Sequence, residues 1–130
     1  MKEHADQGDV QISESELEVM KVLWQSQAPL TAGEIIDALI DRTLWKPKTI
    51  QTMINRLVSK GAIRADKSSG RTFTYQAQVA EDAYKIKASE HFLDKLYEGS
   101  MNLLVAQFVR QKKISPEEKE ALRRLLEEDD

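Results

Sequence analysis

Trp45-Lys-Pro-Lys-Thr-Ile-Gln-Thr-Met-Ile-Asn-Arg-Leu-Val-Ser-Lys-Gly61 reads as one helix with two unlike faces. Ile50, Met53, Ile54, Leu57 and Val58 recur at i, i+3, i+4, i+7 and i+8, a core-facing stripe at helical period. The opposite side carries Lys48, Thr52, Asn55, Arg56 and Ser59, and no acid. Cations and short hydrogen-bonding side chains are the groups that meet phosphates and base edges in a DNA groove. Pro47 suits the first turn, where its missing N–H leaves no bond unmade. Gly61 suits the position just past a helix end.

Upstream of this stretch, Ser13-Glu14-Ser15-Glu16 forms a capping box with Ile12 and Leu17 as its hydrophobic staple. Leu17, Met20, Leu23 and Trp24 supply the buried stripe of that first helix. Thr31-Ala32-Gly33-Glu34 repeats the device with Leu30 and Ile35 and predicts a second helix to about Leu39 or Ile40, after a turn at Pro29. Downstream of Gly61 the period changes to two. Ala62–Lys67 and Thr72–Ala77 read as strands, with Phe73 and Tyr75 on a half-buried face. Ser68-Ser69-Gly70-Arg71 between them is turn chemistry, with glycine where a positive φ is expected. Three short helices followed by a hairpin make a winged helix-turn-helix domain over residues 12–79, with the quoted stretch as its recognition helix and the hairpin as its wing.

From Ala80 the text is helical again, in segments near Glu81–Tyr97, Met101–Gln111 and Pro116–Glu128, the last opened by the capping box Ser115-Pro-Glu-Glu118. Each has one apolar side, and three short helices bury little core by themselves. Residues 80–130 are therefore read as a helical dimerisation region in which Phe92, Leu96, Leu104, Phe108, Leu122 and Leu125 meet a second copy. Residues 1–11 are polar and expected to be a flexible tail. The fold class is mainly α with a small β-hairpin wing: a winged helix-turn-helix domain followed by a helical dimerisation region.

The chain has 130 residues, of which 32% are charged and 41% hydrophobic, which places it among foldable soluble chains. No apolar run approaches the roughly 20 residues of a membrane span, and the polar start lacks the apolar core of a signal peptide. No membrane insertion and a cytoplasmic location are the expectation. Cysteine is absent, which removes disulfides and thiolate metal sites. The net charge of -3 conceals a segregation. Arg42, Lys46, Lys48, Arg56, Lys60, Arg64, Lys67 and Arg71 lie in one block with a single acid, Asp66, so that block is +7 and the remainder -10. A basic block within an acidic chain is the electrostatic footprint of a nucleic-acid face.

The DNA-contacting set drawn from that block is Lys48, Thr49, Thr52 and Arg56 on the recognition helix, Lys46 just before it, and Lys67 and Arg71 in the wing. Residues near the start of a recognition helix reach base edges, whereas wing cations more often hold phosphate. Trp24 and Trp45 are expected as core or interface aromatics. His4 and His91 belong to no cluster with metal-ligand spacing, and no phosphate loop, Ser-His-Asp set or carboxylate pair is readable. No enzyme activity, metal or cofactor is expected. Two other readings of the same elements are a ligand-sensing regulator, which needs a roomy pocket in the helical region, and a winged-helix protein-interaction module, which needs no acid-free recognition face.

Glu16-Leu-Glu-Val-Met-Lys-Val-Leu-Trp24, Leu30-Thr-Ala-Gly-Glu-Ile35, Trp45-Lys-Pro-Lys-Thr-Ile-Gln-Thr52 and Arg56-Leu-Val-Ser-Lys-Gly61 resemble the penicillinase-repressor (BlaI/MecI/CopY) family. The resemblance runs from about Ile12 to the C-terminus and is most specific in the N-terminal half. It implies a homodimeric repressor bound to double-stranded operator DNA, with half-sites of the TACA/TGTA type in the β-lactam-resistance members. It also implies antibiotic-resistance operons as targets and induction by cleavage within the dimerisation region, triggered by a membrane sensor-protease. The family's Asn-Phe cleavage step corresponds here to Gln107-Phe108, a departure at the first position. Copper-responsive members carry a cysteine-rich C-terminal motif, which this cysteine-free chain lacks.

Overall fold

The computed structural model describes residues 8–67 and 70–128. Element order is α1 (Glu14–Gln25), β1 (Leu30–Thr31), α2 (Ala32–Ile40), α3 (Pro47–Lys60), β2 (Ile63–Asp66), β3 (Thr74–Ala77), α4 (Glu81–Tyr97), α5 (Met101–Arg110) and α6 (Pro116–Glu128). The chain divides into two compact units, one ending at Ala88 and the other beginning at Ser89.

In the first unit the predicted caps form. The Ser13 hydroxyl accepts from the Glu16 N–H at 3.1 Å while the Glu16 carboxylate accepts from the Ser13 N–H at 3.0 Å. Thr31 and Glu34 repeat the pattern at the start of α2. Pro47 opens α3, and Gly61 closes it at φ 84°, a left-handed conformation that a Cβ would disfavour. Val19, Met20, Ile35, Leu39, Ile50, Ile54 and Leu57 are fully buried where the three helices meet. Each such side chain contributes about 1.5–3 kcal/mol by leaving water. Because α3 spends Ile50, Met53, Ile54 and Leu57 on this core, its other side is left at the surface.

β3 is the centre of a three-stranded antiparallel sheet ordered β1-β3-β2. Ala65 pairs with Tyr75 on one side, while Leu30 and Thr31 pair with Tyr75 and Thr74 on the other. The wing is thus a hairpin plus a two-residue third strand. No local pattern signals that strand, because Leu30 and Thr31 already read as a staple and a cap.

Three details bear on these expectations. Gly8 to Gln11, assigned to a flexible tail, are placed: Gly8 is buried with no room for a Cβ against the Ala83 backbone, and the Gln11 carbonyl accepts from the Lys60 ammonium at 2.8 Å. Residues 1–7 of that tail, His4 among them, lie outside the described residues. The compact units divide after Ala88, and Tyr84 in the first turns of α4 packs against the winged-helix core. Trp24 donates its indole N–H to the Val79 carbonyl at 2.9 Å, and its ring lies 5.8 Å from that of Tyr84. Third, Tyr75 is buried in the sheet but Phe73 is not: it precedes β3 and is 44% exposed.

In the second unit, α5 and α6 bury no residue. The Tyr97 hydroxyl donates to the Gln107 side chain at 2.8 Å, and Ser115 with Glu118 forms the predicted capping box. Phe92, Leu96, Phe108, Leu122 and Leu125 are exposed and Leu104 is half-buried. The charged side of α6 is solvated and internally paired, Arg123 with Glu120 and Glu127, Arg124 with Glu120. Among the described residues no helix is long and apolar enough to cross a membrane.

Candidate nucleic-acid interface

Lys48, Thr49, Thr52 and Arg56 are all exposed on α3, and Lys46 is exposed at its N-cap. Thr52 donates its hydroxyl to the Lys48 carbonyl at 3.0 Å, which leaves the hydroxyl oxygen free to accept. Gln51 donates to the Asn55 side-chain oxygen at 3.0 Å, so Asn55 turns its N–H donors outward. Lys46, Lys48, Arg56 and Arg71 have no ion-pair partner among the described residues. A row of unpaired cations and donors on a rigid, well-packed helix can accept an anionic backbone without first breaking internal bonds.

Thr49, Thr52 and Arg56 share a notch of about 450 Å³ with Trp45 from the α2–α3 connection and Ser13 and Ser15 from the first turn of α1. Glu16 and Met53 complete the lining, so the notch sets the cationic side of α3 beside a carboxylate at the positive end of the α1 dipole. Trp45 is half-buried and packs on the core; its backbone N–H donates to the Thr43 hydroxyl at 3.3 Å. The α2–α3 connection is thereby fixed where Lys46 enters the surface.

Lys60 belongs to the basic block but is already paired within the fold. Its ammonium pairs with the Glu16 carboxylate, which is buried and also completes the α1 capping box. Burial raises the Glu16 carboxyl, but hydrogen bonds from Lys60 and Ser13 and the Lys60 charge outweigh it, so the group titrates below its ordinary 4.5. This ion pair joins the end of α3 to the start of α1 across 44 positions. No local pattern in the sequence signals it.

On the wing, Arg71 is exposed and Gly70 has the positive φ of 113° expected of the turn, while Ser68 and Ser69 lie outside the described residues. Lys67 is not a free cation: its ammonium stands 5.2 Å over the Phe73 ring. Asn55 and Phe73, neither in the predicted contact set, both border the space between α3 and the wing. His91 is exposed, and no group of His, Asp and Glu among the described residues has the geometry to hold a metal ion.

Comparison with known proteins gives this surface a context. The sequence matches the family described as penicillinase repressor over residues 12–128. It is 42% identical to the penicillinase repressor of Bacillus licheniformis over 118 residues, 91% of each chain. It is 38% identical to the methicillin resistance regulatory protein MecI of Mammaliicoccus sciuri over 121 residues, 93% of this chain and 97% of the relative. Among solved structures, the DNA-binding domain of the repressor BlaI superposes with a TM-score of 0.51 at 46% identity, covering 57% of this chain and 88% of that domain. The monomeric form of B. licheniformis BlaI in complex with the blaP half-operator gives 0.50 at the same identity and coverage. These matches agree with the winged-helix architecture and with a family of regulators rather than enzymes. The chain belongs to the penicillinase repressor family.

Proposed function

We propose that this protein is a homodimeric repressor that binds a palindromic operator over a promoter, of a resistance-type operon, and blocks transcription sterically. The observation that carries this reading is the acid-free outer side of α3, where Lys48, Thr52 and Arg56 stand exposed on a helix held by four buried apolar residues. In this reading α3 enters the major groove, with Lys46, Lys48, Thr49, Thr52 and Arg56 meeting bases and phosphates, and Lys67 and Arg71 of the wing grip the adjacent backbone. The complex of a relative with a half-operator supports the assignment.

The second unit is the dimerisation element. Its apolar residues Phe92, Leu96, Phe108, Leu122 and Leu125 are exposed in a single copy, and a second copy would bury them. A notch bordered by Tyr97, Gln107, Phe108, Gln111 and Lys113, about 530 Å³, opens broadly to solvent and suits a partner helix better than a small ligand. Release follows cleavage at Gln107-Phe108 by a membrane sensor-protease. That bond lies inside α5, where the Gln107 carbonyl accepts from the Gln111 N–H at 3.0 Å, so the last turn has to open first.

Fluorescence anisotropy of the full chain with its own upstream DNA, at two salt concentrations and beside a scrambled duplex, tests the reading. Tight, salt-steep and sequence-selective binding is expected. Absence of binding even at low salt would overturn it.

A further inference from the structure

Between α3 and the wing runs a groove of about 270 Å³ lined by Asn55, Val58, Ala65, Phe73 and Tyr75. Its floor is apolar, from Val58 and Ala65. One wall offers the outward N–H donors of Asn55. The other is the Phe73 ring, exposed yet braced by Tyr75 at 6.4 Å and topped by the Lys67 ammonium at 5.2 Å. Phe73 is an aromatic left 44% exposed two residues beyond a +7 segment, with Tyr75 as its aromatic neighbour. The chemistry is that of a site for something amphipathic: an apolar ring face at the centre, donors and positive charge at the edges.

A duplex contains one such object at this place. When a helix lies in the major groove and a wing reaches the neighbouring minor groove, the sugar–phosphate strand that separates the two grooves passes between helix and wing. Resting on the DNA-binding reading above, we propose that the groove holds this strand. A deoxyribose packs its apolar face on Phe73, and the flanking phosphates take hydrogen bonds from Asn55 and the charge of Lys67. Phe73 is thus a DNA-contacting residue of the wing rather than part of its core. The contact is to backbone, so it strengthens all duplexes alike and sets the depth at which α3 sits.

The test is the salt dependence of affinity of the full chain for its upstream duplex and for a scrambled one. A sugar–aromatic contact releases no counterion, whereas a lysine–phosphate contact releases about one. Phe73→Ala is expected to weaken binding to both duplexes by about tenfold at every salt concentration, with the slope of log affinity against log salt unchanged. Lys67→Ala is expected to lower that slope by about one. Asn55→Ala is expected to weaken both duplexes without altering the slope. Thermal melting checks that each variant is folded, and Phe73→Leu, which keeps apolar bulk, should recover part of the lost affinity. Wild-type affinity in Phe73→Ala, or a loss confined to the specific duplex, would overturn the proposal while leaving the repressor reading intact. Failure of the unaltered chain to bind any duplex would instead remove the reading on which it rests.

Discussion

Glu16 shows how much one side chain can be asked to do. A buried carboxylate is tolerable only when its charge is met, and here it is met by a lysine from another helix and a backbone N–H. A carboxyl that titrates lower in the folded chain than in the unfolded one stabilises the fold at pH above the unfolded value, near 4.5. That contribution is lost as pH falls through the folded value. Glu16→Gln should therefore cost about 1–2 kcal/mol at neutral pH, a figure reduced by the partial exposure of Lys60. Urea midpoints of the variant should change less than wild type as pH is lowered below 4.5; parallel pH profiles would mean the carboxylate contributes nothing. Arg56 is the contrasting residue, charged, exposed and unpaired. Arg56→Ala should weaken operator binding about tenfold and leave the melting temperature unchanged. Arg56 was legible from sequence because helical period alone places it opposite the apolar stripe. The Glu16–Lys60 pair was not, since nothing local links positions 44 residues apart.

At the scale of elements, the helices were readable because their signals are local. Apolar periodicity read a helix at about Glu81–Tyr97, and a capping box with Pro116 at its first turn read another at about Pro116–Glu128, where α4 and α6 lie. Gly61 belongs to this class of signal. No atom lies within 4 Å of where its Cβ would be, so Gly61→Ala should cost about 1 kcal/mol through backbone conformation alone. A calorimetric melt would read that loss, and an unchanged melt would mean the helix end relaxes to another conformation. Strands were harder. Alternation placed Phe73 and Tyr75 on one face, but β3 begins only at Thr74, and the chain before it follows the turn rather than the pleat. Period-two reading cannot tell where pairing stops, and here the end of pairing decides whether an aromatic is core or surface.

For the whole molecule, two units with different burial imply different sources of stability. The first closes on its own core; in the second only Leu93 is buried among the described residues of α4 to α6 beyond Ala88. If a second copy completes that core, a charge placed there should separate the copies. Phe108→Glu or Leu104→Glu should yield monomers in light scattering and weaken binding to a full palindrome far more than to a half-site. A variant that stays dimeric with unaltered operator affinity would rule out the interface. That the chain has two parts was legible from composition, because a basic block and amphipathic helices occupy separate stretches; that Tyr84 of α4 packs against Trp24 of the first core was not, because no local pattern links them. One residue also ties the fold's moving parts together. Thr31 caps α2 with its side chain and pairs with Thr74 through its backbone. A wing mounted this way is no hinged arm: force applied at its strands is delivered directly to the first turn of the neighbouring helix, so the wing and the helix-turn-helix must yield as one lever or not at all.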